Sequence, residues 1–141
     1  MSYDLTAYVR SERLPSMSAL AAHLQRTGGR IAIDDLDDVT AMHGYVPVTL
    51  DGAPTGFEVY WSEITDERRS SYRQRLARNR ETPGEYLEIL TTCDRDVGFS
   101  CKSGDAREVA AARLVANALA SLAGGWVRDP QTKEVVRYAA R

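Results

Sequence analysis

The alanine-rich segment at residues 105–122 (DAREVAAARLVANALASL) constrains the fold more than any other part of the chain. It predicts a long helix on which alanine and leucine occupy all but a narrow polar stripe. Asp105 and Glu108 have the spacing of a capping box, and Gly124 with Gly125 marks the helix end. Because alanine permits close approach, we expect this helix to pack tightly against a sheet.

Segments with strand character lie on both sides of this helix in the sequence. Residues 3–9 (YDLTAYV) alternate apolar and polar side chains, and residues 30–33 (RIAI) predict a short second strand. Residues 45–50 and 57–61 predict the arms of a hairpin with residues 51–56 as its turn, because Asp51-Gly52 is flanked by β-branched and aromatic residues. Two more hairpins are predicted, with arms at 86–93 and 97–101 and at 126–128 and 134–138.

Two further helices complete the predicted order. Met17, Leu20 and Leu24 recur at helical spacing after Ser16, and residues 65–80 (TDERRSSYRQRLARNR) predict a very polar surface helix. We therefore predict an α+β fold: a mainly antiparallel sheet built from hairpins, with about three helices and the alanine-rich one packed on it. Its length predicts a single domain over residues 1–141.

Charge and hydropathy narrow the function classes. The formal net charge of −2 lacks the basic excess of proteins that grip phosphate backbones, so nucleic acid is not the expected partner. No stretch approaches the ~18 apolar residues of a membrane span, and the N-terminus does not read as a secretory signal. We expect a cytoplasmic protein with no membrane contact.

The chain carries no motif that predicts catalysis, a cofactor or a metal. Cys93 and Cys101 are expected to be free, inert thiols in apolar surroundings, although a cross-strand disulfide between them is geometrically conceivable. His23 and His43 are expected on the surface, because no close-spaced set of ligands accompanies them. We predict no catalytic residue, no cofactor and no metal.

Four aspartates form the first candidate for partner binding. They surround Leu36 without the spacing or the terminal glutamate of a calcium-binding loop. A solvated loop is the ordinary interpretation of such a charge run, and a surface that meets a basic partner is the alternative. The four residues are Asp34, Asp35, Asp37 and Asp38.

The predicted helix at 65–80 supplies the second candidate, because arginines crowd it. A solvated face is again the ordinary interpretation, and an RNA contact or docking of an acidic protein are the alternatives. On the first hairpin, Tyr60 is the aromatic residue expected to anchor an interface, whereas Tyr45, Phe57 and Trp61 are expected in the core. The arginine candidates are Arg68, Arg69, Arg73 and Arg75.

Three stretches carry a resemblance to a group of known proteins: the opening MSYDL, the hairpin GYVPVTLDG-x3-GFEVYW and the closing LAGGWVRDPQT. Together they resemble small bacterial proteins that act as cognate immunity factors of polymorphic toxins or type VI secretion effectors. The resemblance implies a non-enzymatic inhibitor that binds one toxin domain. Without a secretory signal, the implied toxin acts in the cytosol, as a nuclease, deaminase or NAD-consuming enzyme does.

Two other functions stay open on the sequence. One is a regulatory or nucleic-acid-associated accessory protein that uses the arginine-rich helix at 65–80. The other is an enzyme whose site is not legible from residue patterns, which carboxylates in a concave pocket would favour. The polar middle helix and exposed aromatic side chains would also suit a homodimer.

Overall fold

The computed structural model describes residues 2–34, 38–79 and 84–138. Within these residues the chain forms seven strands and four α-helices. The strands are β1 (Tyr3–Val9), β2 (Ile31–Ile33), β3 (Gly44–Leu50), β4 (Ala53–Glu63), β5 (Arg95–Cys101), β6 (Trp126–Asp129) and β7 (Glu134–Arg137). The helices are α1 (Met17–Arg26), α2 (Asp66–Arg78), α3 (Gly84–Thr92) and α4 (Ala106–Ala123). Short 3₁₀ turns occupy Ser11–Arg13 and Val39–Ala41.

All seven strands join one antiparallel sheet in the order β2-β3-β4-β5-β1-β6-β7. The predicted α+β class with an antiparallel sheet is therefore confirmed, as are the β3–β4 and β6–β7 hairpins. The turn predicted at 51–56 is too long, because residues 53–56 already pair with β3 as part of β4. The first strand lies inside the sheet, between β5 and β6. Strands distant in sequence thus pair at the centre, and hairpins form the two ends.

Helix α4 packs on the sheet as the sequence predicts. The Asp105 side chain caps its first turn by accepting from the Arg107 amide, and Gly124 ends it in the left-handed conformation at φ 66°. Gly125 then passes so close to β1 that an added Cβ would lie 1.9 Å from the Tyr8 carbonyl oxygen. The second glycine is therefore required by packing as well as by the helix end.

Alternation along the strands divides the sheet into two faces. Leu5, Phe57 and Phe99 point to the face that α4 and α1 cover, which we call the core face. The Phe57 and Phe99 rings lie 5.7 Å apart between centroids, and alanines of α4 pack over this layer with 0% exposure. Among the described residues, none of the helices has the length and apolarity required to cross a lipid bilayer.

Helices α2 and α3 lie against the opposite face, which we call the second face. There they enclose a smaller cluster with Tyr8 of β1 and Trp126 of β6. The Tyr86 ring of α3 meets Tyr8 and Tyr72 edge-on, at centroid distances of 5.8 and 4.6 Å. The buried members of this second cluster are Tyr8, Ile64, Tyr72, Ile89, Leu90, Cys93 and Trp126.

The predicted strand at 86–93 is wrong, because residues 86–92 belong to helix α3. Their β-branched and aromatic content favoured a strand, but Ile89, Leu90 and Cys93 recur at helical spacing and are the buried positions. The described residues therefore form four α-helices, where about three were predicted. Strand β5 pairs with β1 and β4, so it is not the second arm of a hairpin.

Strand β2 is short for a reason that lies in β3. The Asp51 amide donates to the Arg30 carbonyl at 2.7 Å, so odd-numbered residues of β3 direct their backbone groups toward β2. By this alternation Pro47 is the next residue due to donate to β2, and proline has no N–H. Pairing accordingly ends at Ile33 opposite Val48.

Candidate functional site

The second face is left open over β3 and β4 by the helices that the structure describes. Tyr45 and Tyr60 project there with 62% and 46% of their surface exposed, and these are the large hydrophobic side chains exposed in the described chain. Pro47 and Pro54 are exposed beside them. We call this surface, formed by Tyr45, Pro47, Thr49, Pro54, Glu58 and Tyr60, the open sheet face.

The position of the Tyr45 ring depends on a glycine in the next strand. Gly56 lies opposite Pro47, diagonal to Tyr45, and is buried. A Cβ added at Gly56 would lie 2.4 Å from the Tyr45 ring and 2.7 Å from the Val46 carbonyl oxygen. The absent side chain therefore lets the hydroxyl end of the ring rest on Gly56, with most of the ring exposed to solvent.

A small polar cluster adjoins this ring. The Tyr60 hydroxyl donates to the Glu58 carboxylate at 2.5 Å, and Lys102 forms an ion pair with the other carboxylate oxygen at 3.1 Å. These hydrogen bonds lower the pKa of Glu58 and raise that of Tyr60. The His43 ring meets the Tyr60 ring edge-on at 6.1 Å between centroids. Tyr60 is thus held in one orientation by contacts on both sides.

The acidic candidate residues are only partly described. Asp34 is exposed at the end of β2 and lines a groove of about 350 Å³ together with Tyr45 and Pro54 of the open sheet face. Asp38 is exposed and accepts from the Thr40 amide, which caps the turn at Val39–Ala41. Asp35 and Asp37 lie outside the described residues. The structure therefore joins Asp34 to the tyrosines, and Asp38 lines a different groove, near Ser16 and Arg95.

The arginine candidates of α2 divide into two pairs. Arg68 forms an ion pair with Asp96 of β5 and donates to the Tyr86 hydroxyl at 2.9 Å. Arg69 donates to the carbonyl oxygens of Leu90 and Cys93 at 2.6 and 3.1 Å, where α3 ends. These two side chains therefore fasten α2 to the sheet and to α3.

Arg73 and Arg75 are exposed, and the guanidinium of Arg75 lies 6.0 Å from the centre of the Tyr72 ring. Arg78, near the end of α2, is exposed as well. Arg80, which was also predicted on this helix, lies outside the described residues. The basic surface that α2 offers to a partner is consequently smaller than its sequence suggests.

The two thiols are buried and free, and neither has the surroundings of a nucleophile. Burial raises the pKa of Cys101 to about 11 and also raises the pKa of Cys93. His43 is exposed as expected, but the surface position expected for His23 is wrong, because α1 buries it to 9% exposure. Within residues 2–34, 38–79 and 84–138, no group of three or more His, Cys, Asp or Glu could hold a metal ion.

Sequence reasoning missed Tyr45 as a surface residue. It was expected in the core with Phe57 and Trp61, yet it is the most exposed of the large apolar side chains described. The signal was present in the alternation of β3, where Val46, Val48 and Leu50 take the buried positions. Tyr45 alternates with these buried residues, as Pro47 and Thr49 do. The two-residue period of a strand therefore directs the Tyr45 side chain to the face opposite the core.

Comparison of the chain with protein-family models, with curated proteins and with solved structures gives no match.

Proposed function

We propose that this chain is a non-enzymatic inhibitor, an immunity protein that binds and neutralises a bacterial toxin domain acting in the cytosol. The observation that supports it is the open sheet face, where Tyr45 and Tyr60 are exposed on paired strands. Tyrosine is enriched among residues that dominate binding energy, because it buries a large area with few rotatable bonds. A partner protein is the kind of ligand that such a broad surface fits.

Rigidity of the surface is the second argument. Tyr45 lies against Gly56, and Tyr60 is fixed by Glu58 and His43. Side chains that are already ordered lose little entropy on association, so their burial contributes more to affinity. Tight binding with a short list of contacts is what an inhibitor requires.

Charge indicates the class of partner surface. Asp34 shares a groove with Tyr45, and Glu58 lies between the two tyrosines with Lys102 as its counter-ion. Because Lys102 balances Glu58, the negative charge beside the aromatic anchors comes from Asp34. A carboxylate in this position is complementary to a basic cleft, such as the one with which a nuclease toxin holds its nucleic acid. The proposed inhibitor would occupy that cleft and exclude the substrate.

The test co-expresses this chain with each toxin domain encoded by its source bacterium and measures growth of a laboratory host. We expect one toxin to be neutralised and to bind the purified chain. The double variant Tyr45→Ala/Tyr60→Ala should weaken that binding by at least about 100-fold, since each anchor contributes about 2 kcal/mol or more. Gln74→Ala on exposed α2 is the control and should bind like the wild type.

Two outcomes would contradict this function. Failure of the chain to bind or neutralise any of those toxin domains would exclude the immunity role. Co-purifying RNA that is lost at high salt would instead favour the nucleic-acid accessory role, which the exposed Arg73, Arg75 and Arg78 support. Substituting these three arginines would then abolish RNA recovery and leave the Tyr45 and Tyr60 surface intact.

A further inference from the structure

Strand β2 ends the described sheet, and its outer edge carries hydrogen-bonding groups in a definite pattern. The bond from the Asp51 amide to the Arg30 carbonyl sets the alternation. Ala32 accordingly pairs inward with Thr49, whereas Ile31 and Ile33 direct their N–H and C=O groups away from β3. No described strand lies beyond them. Such an edge is a template for one more strand.

We propose that the partner of this edge is β2 of a second copy of the chain, so that two protomers form a dimer through one continuous sheet. With Ala32 on the two-fold axis, antiparallel pairing sets Ile31 opposite Ile33 of the second copy. Those are the residues whose backbone groups point outward, so each pair exchanges two hydrogen bonds. Two-fold symmetry about Ala32 and the outward hydrogen-bonding groups of Ile31 and Ile33 thus lead to the same pairing register.

The charges that flank β2 complement each other in the same register. Arg30 precedes the strand and Asp34 follows it, and both are exposed. Centring the pairing on Ala32 sets Arg30 of each copy opposite Asp34 of the other, where opposite charges are favourable. Arg30 also pairs with Asp51 of its own chain at 2.9 Å, and because more than half of both side chains is exposed, Arg30 can share its charge with a second carboxylate. Charges that commonly protect an edge strand from self-association here favour it.

Small side chains permit the close approach that edge pairing needs. Ala32 is exposed on β2, and Ala21 with Ala22 of α1 lines a groove of about 190 Å³ beside it. Pairing of the strands brings the two α1 helices together over the same axis, and alanines let helices approach closely. The groove is thereby filled from the second copy, which adds apolar area to the hydrogen bonds.

The opposite edge of the sheet, β7, lacks this complementarity. The Tyr138 amide donates to the Gly125 carbonyl, so Val135 and Arg137 carry the outward groups of β7. A two-fold pairing can set Val135 opposite itself or opposite Arg137, and neither matches opposite charges. Self-pairing is therefore specific to β2.

The dimer does not depend on the proposed inhibitor role. Pairing at β2 extends the sheet sideways and leaves Tyr60 and its neighbours on β4 free in both copies. Ala32, Ile33 and Asp34 of the β2 edge also line the groove beside Tyr45, whereas Tyr60 lies outside that groove. Loss of toxin binding and loss of dimerisation are consequently separable by experiment.

The first experiment measures the mass of the purified chain in solution by light scattering and sedimentation, up to about 100 µM. We expect twice the mass of one chain, with dissociation on dilution. Ile33→Pro removes an outward N–H that the protomer does not use, so the dissociation constant should rise at least about tenfold. A monomeric wild type, or a dimer that Ile33→Pro leaves unchanged, would overturn the proposal.

The second experiment uses charge and does not depend on how well one variant folds. In a dimer of the Asp34→Lys variant, the lysine of each copy lies opposite Arg30 of the other, so like charges meet. In a dimer of the Arg30→Glu variant, the glutamate of each copy likewise lies opposite Asp34 of the other. Each variant should dimerise about tenfold more weakly than the wild type, and an equal mixture should form the mixed dimer with restored affinity. Absence of the mixed dimer, with both variants folded by circular dichroism, would overturn the pairing at β2.

Discussion

Helices cover both faces of the sheet, but by different means. On the core face, α4 and α1 bury a continuous apolar layer, and alanines bring the α4 backbone close to β1 and β4. On the second face, α2 and α3 enclose a smaller cluster and depend on arginines that reach across it. The core face is held by packing, whereas much of the second face is held by polar contacts and the rest is left open.

The difference follows from the helix sequences. Helix α4 offers small apolar side chains on nearly every side, and Arg113 of its polar stripe is engaged by Asp129 and Tyr3 at the rim of the sheet. Helix α2 has Tyr72 as its buried residue and an excess of arginine. Burial of apolar area is worth more than partly exposed ion pairs, so we expect the second face to open first.

The largest expected effect comes from removing the same side chain on each face. Leu119 of α4 and Leu90 of α3 are both 0% exposed. We expect Leu119→Ala to lower the free energy of unfolding by about 3–4 kcal/mol and Leu90→Ala by about 2 kcal/mol, because the smaller cluster relaxes around the lost atoms. Urea unfolding measures both values. Equal losses would contradict the difference between the faces.

Acid should weaken the core face through Asp129, which is 2% exposed. Burial raises the pKa of this carboxyl, but hydrogen bonds from Tyr3, Gln131 and Arg113 outweigh burial and hold the pKa well below its usual range. The folded state therefore binds this proton less readily than the unfolded state. The stability so gained is present above about pH 4 and fades as the pH falls below it.

Replacing this carboxylate tests the claim. Asp129→Asn should lower stability at pH 7 by about 2 kcal/mol, and its difference from the wild type should narrow toward pH 3. Melting temperatures across that range measure it. Asp51→Asn is the matched control, because the Arg30–Asp51 pair is exposed and its loss should not change the melting temperature. A pH-independent difference at Asp129 would contradict this assignment.

A smaller effect is expected where arginine fastens the second face. Asp96→Asn removes the charge that Arg68 pairs with, and it should cost about 1 kcal/mol, since Arg68 is partly exposed to water. Hydrogen exchange should become faster in α2 and α3 while α4 keeps its protection. Uniform acceleration in all helices would mean that the two faces open together.

The smallest effect on stability is expected on the open sheet face. Tyr45→Ala and Tyr60→Ala remove exposed rings, so neither should lower the melting temperature measurably. Their effect should be confined to partner binding, which distinguishes an interface from a packing role. A fall in melting temperature like that of Leu90→Ala would show that the tyrosines support the fold.

Patterns that repeat along the chain predicted much of the fold. The alternation of β1, the Asp-Gly turn after β3 and the capped alanine-rich α4 are local signals, and each was confirmed. Residues 86–93 show where such patterns fail. A short apolar run fits the helical period of 3.6 residues as well as the strand period of two, and its β-branched and aromatic residues favoured the strand, which is wrong. The candidate site was predictable at Tyr60, and Tyr45 was missed although its parity on β3 assigns it to the same face.

The sequence by itself determined most of the elements, the α+β class and the face to which most strand residues point, because these depend on neighbours within a few residues. Only the tertiary structure decided that β1 lies between β5 and β6, that Arg68 and Arg69 are used internally, and that Tyr45 rests on Gly56. Each of these joins residues far apart in the chain or on different elements. No local period encodes such contacts, since they arise when the packed sheet brings their partners together.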